Sequence, residues 1–216
     1  MNDLKEKIEQ LKEITGASER TGWIRDNVAF YLWGLVKFYD PDLVLNIGHL
    51  WGKSSMIFCD AMFGSHSLEE TYSVGDTAFK NFVEKDAISY DTKKVISVDP
   101  HLHAAGHRPL NCEGGVEFLE SAYENFQFYK QKSQDFLATT DLSSYKRKFA
   151  FIDGDHTYQG ALQDVRLCCH HNFDFIIVDD TAYLPNVRQA ALDGFSAEYQ
   201  VLEHTLWNGF ILGAKR

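Results

Sequence analysis

Carboxylates follow two short, largely apolar runs of the sequence. The first run, 149–152, ends at Asp153, and the second, 173–178, ends at Asp179 and Asp180. Runs rich in β-branched and aromatic residues are typical of strands that are buried on both faces of a parallel sheet. Ligands of such sheets bind beyond the carboxyl ends of the strands, so we predict that the three carboxylates share one site.

Carboxylates that converge repel one another unless a cation or shared protons relieve the repulsion. A divalent metal is the simplest remedy. A set of carboxylate oxygens favours magnesium, with manganese or calcium as substitutes, whereas zinc prefers histidine or cysteine. Such a metal can activate either the hydroxyl of an acceptor or a water molecule. The run from Asp153 to His156 therefore fits a metal-assisted transferase and also a metal-dependent hydrolase.

A glycine-containing loop follows an earlier apolar run. The run 43–47 precedes Gly48, Gly52 and Ser54, and an apolar helical segment, 56–63, comes next. A strand, a glycine turn and a helix in this order present backbone N–H groups to a ligand, and glycine lets the backbone bend or approach closely. The other interpretation is that the two glycines only make a tight turn.

Another acid, Asp99, ends the run 94–98. An acid at a strand end after a glycine-containing loop can accept hydrogen bonds from the ribose hydroxyls of a nucleotide-like cofactor. The other interpretation is a turn cap. His101, His103 and His107 have metal-ligand spacing, but no regular element is predicted to fix their geometry, so we do not predict a metal site there.

Alternating helix and strand patterns surround these residues. Helical periodicity is found over 2–15, 23–39, 113–126 and 158–169, and a short strand is predicted near 128–130. The tail, 199–213, predicts two strands around an Asn-Gly turn. We predict one α/β domain over 1–216, with N-terminal helices in 1–40. Its sheet is predicted to be Rossmann-like, doubly wound, mostly parallel and seven-stranded, with a C-terminal antiparallel hairpin.

An insertion interrupts this pattern between the apolar helix and the next strand. About thirty residues, 65–94, stand where a plain β-α-β unit needs far fewer. Two interpretations are open, a lid over the site and an inert decoration, because surfaces tolerate long insertions.

Composition limits the class of partner. The chain of 216 residues has a formal net charge of -10, which argues against nucleic acid and favours a small molecule. No apolar stretch approaches the roughly 18 residues of a membrane span, and the charged N-terminus does not resemble a signal peptide, so a cytosolic protein without a membrane partner is expected. The four cysteines lack paired spacing and are expected to be reduced. Whether the chain forms a homo-oligomer stays open.

The order of these motifs resembles that of the class I S-adenosylmethionine-dependent methyltransferases. The closest branch is that of the small metal-dependent O-methyltransferases, including the catechol type and the antibiotic-sugar type. The resemblance covers the chain from Trp23 onward, and its most specific part is the Ile-Asp-Gly-Asp-His-x-Tyr run, 152–158, paired with Asp179 and Asp180.

The resemblance implies a role for each candidate residue. The loop with Gly48, Gly52 and Ser54 would hold the methionine part of the cofactor, Asp99 its ribose, and Ser133 and Gln134 its adenine. The metal ligands would be Asp153, Asp179 and Asp180, and the base for the acceptor hydroxyl would be Asp153 or His156. The implied activity is metal-assisted O-methylation of a small hydroxylated acceptor.

Two departures from the family pattern motivate an alternative. Asn46 occupies a position that usually carries an acid, and the loop interior, 49–51, is bulkier than is common there. A non-catalytic cofactor-binding protein on a degenerate methyltransferase fold is therefore a second hypothesis. The hydrolase hypothesis is weaker, because it leaves Asp99 and the Gly48 loop without a role.

Overall fold

The computed structural model describes residues 2–18, 24, 26–64, 92–100, 110–205 and 208–216. Most of the insertion predicted over 65–94 lies outside the described residues, and so do Trp23 and the three histidines at 101, 103 and 107. None of the helices in the described part of the chain has the length and apolar character needed to cross a membrane.

A seven-stranded sheet forms the centre of the fold. Its strands are β1 (Leu43–Ile47), β2 (Lys94–Val98), β3 (Phe126–Tyr129), β4 (Lys148–Ile152), β5 (Phe175–Val178), β6 (Tyr199–His204) and β7 (Phe210–Lys215). They lie in the order β3-β2-β1-β4-β5-β7-β6. The first five in this order are parallel, and β7 is antiparallel to both β5 and β6. The predicted fold class, including the closing hairpin, is confirmed.

The register of the parallel strands brings their carboxyl ends to one level. Ile47 is paired with Val98 on one side and with Ile152 on the other, and Ile152 is paired with Val178. The residues that follow these strands therefore emerge along one edge of the sheet. This edge includes the point between β1 and β4 where the strand order reverses, which is where ligands bind in such sheets.

Seven helices within the described residues cover the two faces of the sheet. They are α1 (Asn2–Thr15), α2 (Asp26–Tyr39), α3 (Lys53–Phe63), α4 (Cys112–Ala122), α5 (Ser133–Thr139), α6 (Tyr158–His170) and α7 (Pro185–Gly194). Side chains of a strand alternate between faces. Phe149 and Phe151 accordingly pack with α1–α4, whereas Ala150 and Ile152 pack with α5–α7.

Three predicted boundaries were wrong. The helix predicted to reach residue 126 ends at Ala122, because Tyr123 turns to an extended conformation and its N–H bonds to Leu119 O. Phe126 is instead a buried residue of β3, which begins there and not near residue 128. The predicted segment 23–39 is helical from Asp26. The four cysteines are free thiols, as predicted, and all but Cys169 are buried.

Candidate active site

The loop after β1 passes against the end of β4. Gly48 has φ 93° and Gly52 has φ 98°, a region that L residues rarely adopt. A Cβ at Gly48 would overlap the backbone oxygen of Asp153, so only glycine permits this approach. Gly52 caps α3, and Ser54 lies in the first turn of that helix. Gly48 and Ser54 line a cleft at the carboxyl edge of the sheet.

Asp99 joins the end of β2 to this loop. Its Oδ2 accepts hydrogen bonds from the backbone N–H groups of His49, at 2.9 Å, and Leu50, at 3.0 Å. Asp99 also lines the cleft. The Asp99 carboxylate thus fixes the loop after β1 and is itself part of the lining of the cleft.

A buried polar cluster lies behind the loop. Asn46 Nδ2 donates to Ser55 Oγ at 2.9 Å and to Ser97 Oγ at 3.0 Å, and His49 Nδ1 contacts the same two hydroxyls at 2.9 and 3.0 Å. Burial lowers the pKa of His49 to about 3, so its ring is neutral at physiological pH. His49 Nε2 has no hydrogen-bond partner within the described ranges.

The two departures from the family pattern do not close the cleft. Asn46 is fully buried in the polar cluster, and the side chains of His49 and Trp51 are each 2% exposed. Trp51 belongs to the core on the α1–α4 side of the sheet. The cleft has a volume of about 1110 Å³. Sites for drug-sized ligands have roughly 300–1,000 Å³, so this cleft has room for a ligand the size of a cofactor.

Ser133 and Gln134 stand on another wall of the cleft, at the start of α5. Both donate to Oδ1 of Asp164 in α6, Ser133 Oγ at 2.6 Å and Gln134 Nε2 at 2.7 Å. Burial raises the pKa of Asp164 to about 7, and the two hydrogen bonds oppose the rise. The sequence interpretation missed Asp164. The available signal was an acid on the apolar face of the predicted helix 158–169.

Asp153, His156 and Asp180 meet on the same cleft, and we call this part of it the acidic end. His156 Nε2 lies 3.1 Å from Asp153 Oδ1 and 3.5 Å from Asp180 Oδ2. One ligand atom of each of the three residues falls within 4.8 Å of the others. Asp179 lines the same cleft but does not belong to this group of three. The three ligand-bearing residues that lie closest together thus include His156, whereas the sequence prediction named Asp179 with Asp153 and Asp180.

The backbone leaves strand geometry directly after β5. Adjacent residues of a strand point to opposite faces, so Asp179 and Asp180 were expected to reach one site only if the strand ended there. It does: β5 ends at Val178, and Asp180 has φ 60°.

The turn between β6 and β7 supports the Asp180 loop. Asn208 Nδ2 donates to Asp180 Oδ1 at 2.8 Å. The backbone N–H groups of Thr181 and Ala182 donate to Gly209 O and Asn208 O. The sequence interpretation assigned Asn208 only to a turn, and no local pattern indicates that this turn reaches the acids.

The acids perturb one another's protonation. Burial raises the pKa of Asp153, its hydrogen bond with His156 lowers it, and the charge of Asp180 raises it. Burial and the charges of Asp153 and Asp180 raise the pKa of Asp179 well above its usual range. The hydrogen bond to Asp153 raises the pKa of His156. Such a cluster binds either protons or a cation, and its carboxylates and imidazole are ligands that divalent metals accept.

Comparison with known families identifies the domain. The model of a family described as a methyltransferase domain matches residues 45–181, which is more than half of the chain. The chain belongs to this family. The match confirms the resemblance to the class I S-adenosylmethionine-dependent methyltransferases and counts against the hydrolase hypothesis. No curated protein matches the sequence.

Solved structures with the same fold include the following methyltransferases. The O-methyltransferase of Bacillus cereus, in complex with S-adenosylhomocysteine, is 13% identical with a TM-score of 0.64, covering 100% of this chain and 91% of that one. TomG of Streptomyces achromogenes, an O-methyltransferase of tomaymycin synthesis in complex with S-adenosylmethionine, is 14% identical with a TM-score of 0.64, covering 98% and 89%. S-adenosylhomocysteine-bound PaMTH1 of Podospora anserina is 11% identical with a TM-score of 0.63, covering 99% and 87%.

Proposed function

We propose that this methyltransferase moves the methyl group of S-adenosylmethionine to a hydroxyl oxygen of a small acceptor, with the assistance of a divalent cation. The observation that supports this proposal is one continuous cleft. The residues that line it include Gly48 and Asp99 and also Asp153, His156 and Asp180. Two of the similar structures are O-methyltransferases, in complex with S-adenosylmethionine or S-adenosylhomocysteine.

The residues proposed to bind the cofactor lie at strand ends and helix starts. S-adenosylmethionine, when bound, supplies a methyl group on a positively charged sulfur. We propose that the loop with Gly48, Gly52 and Ser54 holds its methionine part, because glycine lets the loop backbone approach a ligand closely. Gly48 and Ser54 line the cleft, and Gly52 shapes the loop at the start of α3. In this proposal Asp99 accepts from the ribose hydroxyls, and Ser133 and Gln134 meet the adenine.

The acidic end of the cleft fits a divalent cation. We propose Asp153, Asp179 and Asp180 as its ligands. Asp153 and Asp180 lie close together beside His156, and Asp179 lines the same cleft. The carboxylate oxygens suit magnesium, with manganese or calcium as substitutes. A bound cation would lower the pKa of the acceptor hydroxyl and orient its oxygen.

We propose that Asp153 and His156 act together as the general base that removes the proton of the acceptor hydroxyl. In the tautomer whose Nε2–H donates to Asp153, the lone pair is on His156 Nδ1, and this atom can take a proton. The hydrogen bond from Asn186 Nδ2 to the backbone oxygen of His156, at 2.6 Å, fixes the segment that carries the ring. The side chain of His156 is 44% exposed, so the proton has a path to solvent.

Two measurements test the proposal. Calorimetric titration should show binding of S-adenosylhomocysteine, and labelled S-adenosylmethionine should give O-methylated product with a catechol or a sugar hydroxyl among a panel of small acceptors. Failure to bind S-adenosylhomocysteine would refute the proposed cofactor. Methylation confined to nitrogen, or an unchanged rate in protein treated with a chelator, would refute the acceptor atom or the metal respectively.

A further inference from the structure

A buried carboxylate lies directly behind the wall that carries Ser133 and Gln134. Asp164 is 0% exposed, and its Oδ1 receives the two short hydrogen bonds from these residues. Its Oδ2 has no hydrogen-bond partner among the residues that the structure describes. A buried acid with an unpartnered oxygen destabilises a fold, and an apolar residue of the same shape would avoid this penalty. Stability alone therefore does not explain an acid at this position.

The two hydrogen bonds determine which atoms the wall offers to a ligand. A serine hydroxyl has one proton, and Ser133 gives it to Asp164. The amide of Gln134 directs Nε2 to Asp164, because its oxygen would be repelled there, and so Oε1 points away from Asp164. Asp164 thus occupies the donors of both side chains. The acceptor atoms, Ser133 Oγ and Gln134 Oε1, are left for the cleft.

We propose that Asp164 is a positioning residue that makes this wall selective for a base with an exocyclic amino group over a base with a carbonyl oxygen at the same place. The inference rests on the proposed function, which places the adenine at Ser133 and Gln134. The amino group of adenine can donate to Gln134 Oε1. A carbonyl oxygen at the same position is also an acceptor, so it would form no hydrogen bond with Oε1 and would be repelled. A site built to hydrogen-bond one polar group rejects an analogue that cannot make the bond.

Calorimetry with S-adenosylhomocysteine and its 6-oxo counterpart, S-inosylhomocysteine, measures this selectivity as a ratio of affinities. Wild type should bind the amino compound about tenfold more tightly or better, the factor that corresponds to one good hydrogen bond. Asp164→Leu has a similar shape without an acceptor, frees both donors and should reduce the ratio to about threefold or less. Asp164→Asn keeps an oxygen for the two donors and should retain most of the ratio.

Asp193→Asn is the matched control. Asp193 is exposed on α7, where it binds Tyr158 and Gln189, and the substitution should leave the ratio at the wild-type value. Equal binding of the two compounds by wild type would overturn the inference without any variant. An unchanged ratio in folded Asp164→Leu would also overturn it, because Asp164 would then act on the fold alone.

Gln134→Leu covers the case in which Asp164→Leu does not fold. Gln134 is half-buried on the cleft wall, so this variant removes the amide and its hydrogen bond to Asp164 but keeps the buried acid and its bond from Ser133. It should reduce the ratio as far as Asp164→Leu would, and an unchanged ratio would overturn the inference. Wild type that binds neither compound is a different outcome, since it refutes the proposed function itself.

Discussion

The backbone N–H of His49 donates to Oδ2 of Asp99 at 2.9 Å, across 50 positions of sequence. The bond ties the loop after β1 to the end of β2, the neighbouring strand. Because Asp99 also lines the cleft, its carboxylate acts on cofactor binding in two ways. In the proposed complex it would accept from the ribose, and it fixes the loop proposed to hold the methionine part.

Asp99→Ala should weaken binding of S-adenosylhomocysteine by about 1.5 to 3 kcal/mol, the range for hydrogen bonds to a charged group. Calorimetry measures the loss. Asp99→Asn is the control, since its amide oxygen can still accept from His49 and Leu50, and its loss should be smaller. Full affinity in Asp99→Ala would remove Asp99 from the cofactor site.

Asp180→Asn and Asp179→Asn should each weaken divalent-cation binding far more than binding of S-adenosylhomocysteine, because each deletes a ligand charge and preserves the shape. Titration of Mn²⁺ followed by electron paramagnetic resonance measures the cation directly. The affinity should fall as the pH falls, since burial and like charges raise the pKa of Asp153 and of Asp179. Asp141→Asn, in an exposed turn, should have no effect. Unchanged Mn²⁺ affinity in both site variants would exclude the acidic end as the metal site.

Gly48→Ala should lower the free energy of unfolding by roughly 2 to 4 kcal/mol, because the added Cβ overlaps Asp153 and the residue has a positive φ. Gly16→Ala is the matched control. Gly16 also has a positive φ, 70°, but nothing lies within 4 Å of its Cβ position, so only backbone strain of about 1 kcal/mol is expected. Urea unfolding of both variants checks the difference, and equal losses would show that the contact with Asp153 does not matter.

The buried ring of His49 should make the fold sensitive to acid. Its folded pKa, about 3, lies below the unfolded value of about 6.5, so the unfolded chain binds the proton first. Stability from this residue is complete above pH 6.5 and falls by about 1.4 kcal/mol for each pH unit below it, down to pH 3. His49→Asn does not titrate and should lack this slope. Urea unfolding at several pH values between 4 and 7 tests it, and parallel curves for the two proteins would refute it.

Asp164 should change the free energy of unfolding with pH in the direction opposite to that of His49. Its folded pKa is raised to about 7 from an unfolded value near 3.9, so the folded chain binds the extra proton between these values. Stability from this carboxyl is therefore greatest at low pH and falls by about 1.4 kcal/mol per unit as the pH rises to 7. The difference in free energy of unfolding between wild type and Asp164→Asn should have this slope. A flat difference would mean that Asp164 is ionised over the whole range.

The sequence was sufficient to predict the fold and the edge that carries the site. Acids and glycines that directly follow apolar runs must emerge together when the strands are parallel and in register, as Gly48, Asp99 and Asp153 do. Contacts made by side chains distant in sequence were not predictable in this way. Asp164 meets Ser133 only because α5 and α6 pack on the same face of the sheet. The position of Asp180 depends on a backbone turn with φ 60°, which composition does not indicate.

The Asp180 loop is held by residues that the ribosome adds to the chain later, Asn208 and Gly209. Ribosomes build chains from the amino terminus, so Asp153, Asp179 and Asp180 all emerge before Asn208 and Gly209. A nascent chain that has emerged only through α7 has every acid of this cluster but lacks the bonds to residues 180–182. It also lacks β7, the antiparallel neighbour of β5. Translation that stops before β7 would therefore release a product in which nothing from β7 or the turn before it holds the Asp180 loop.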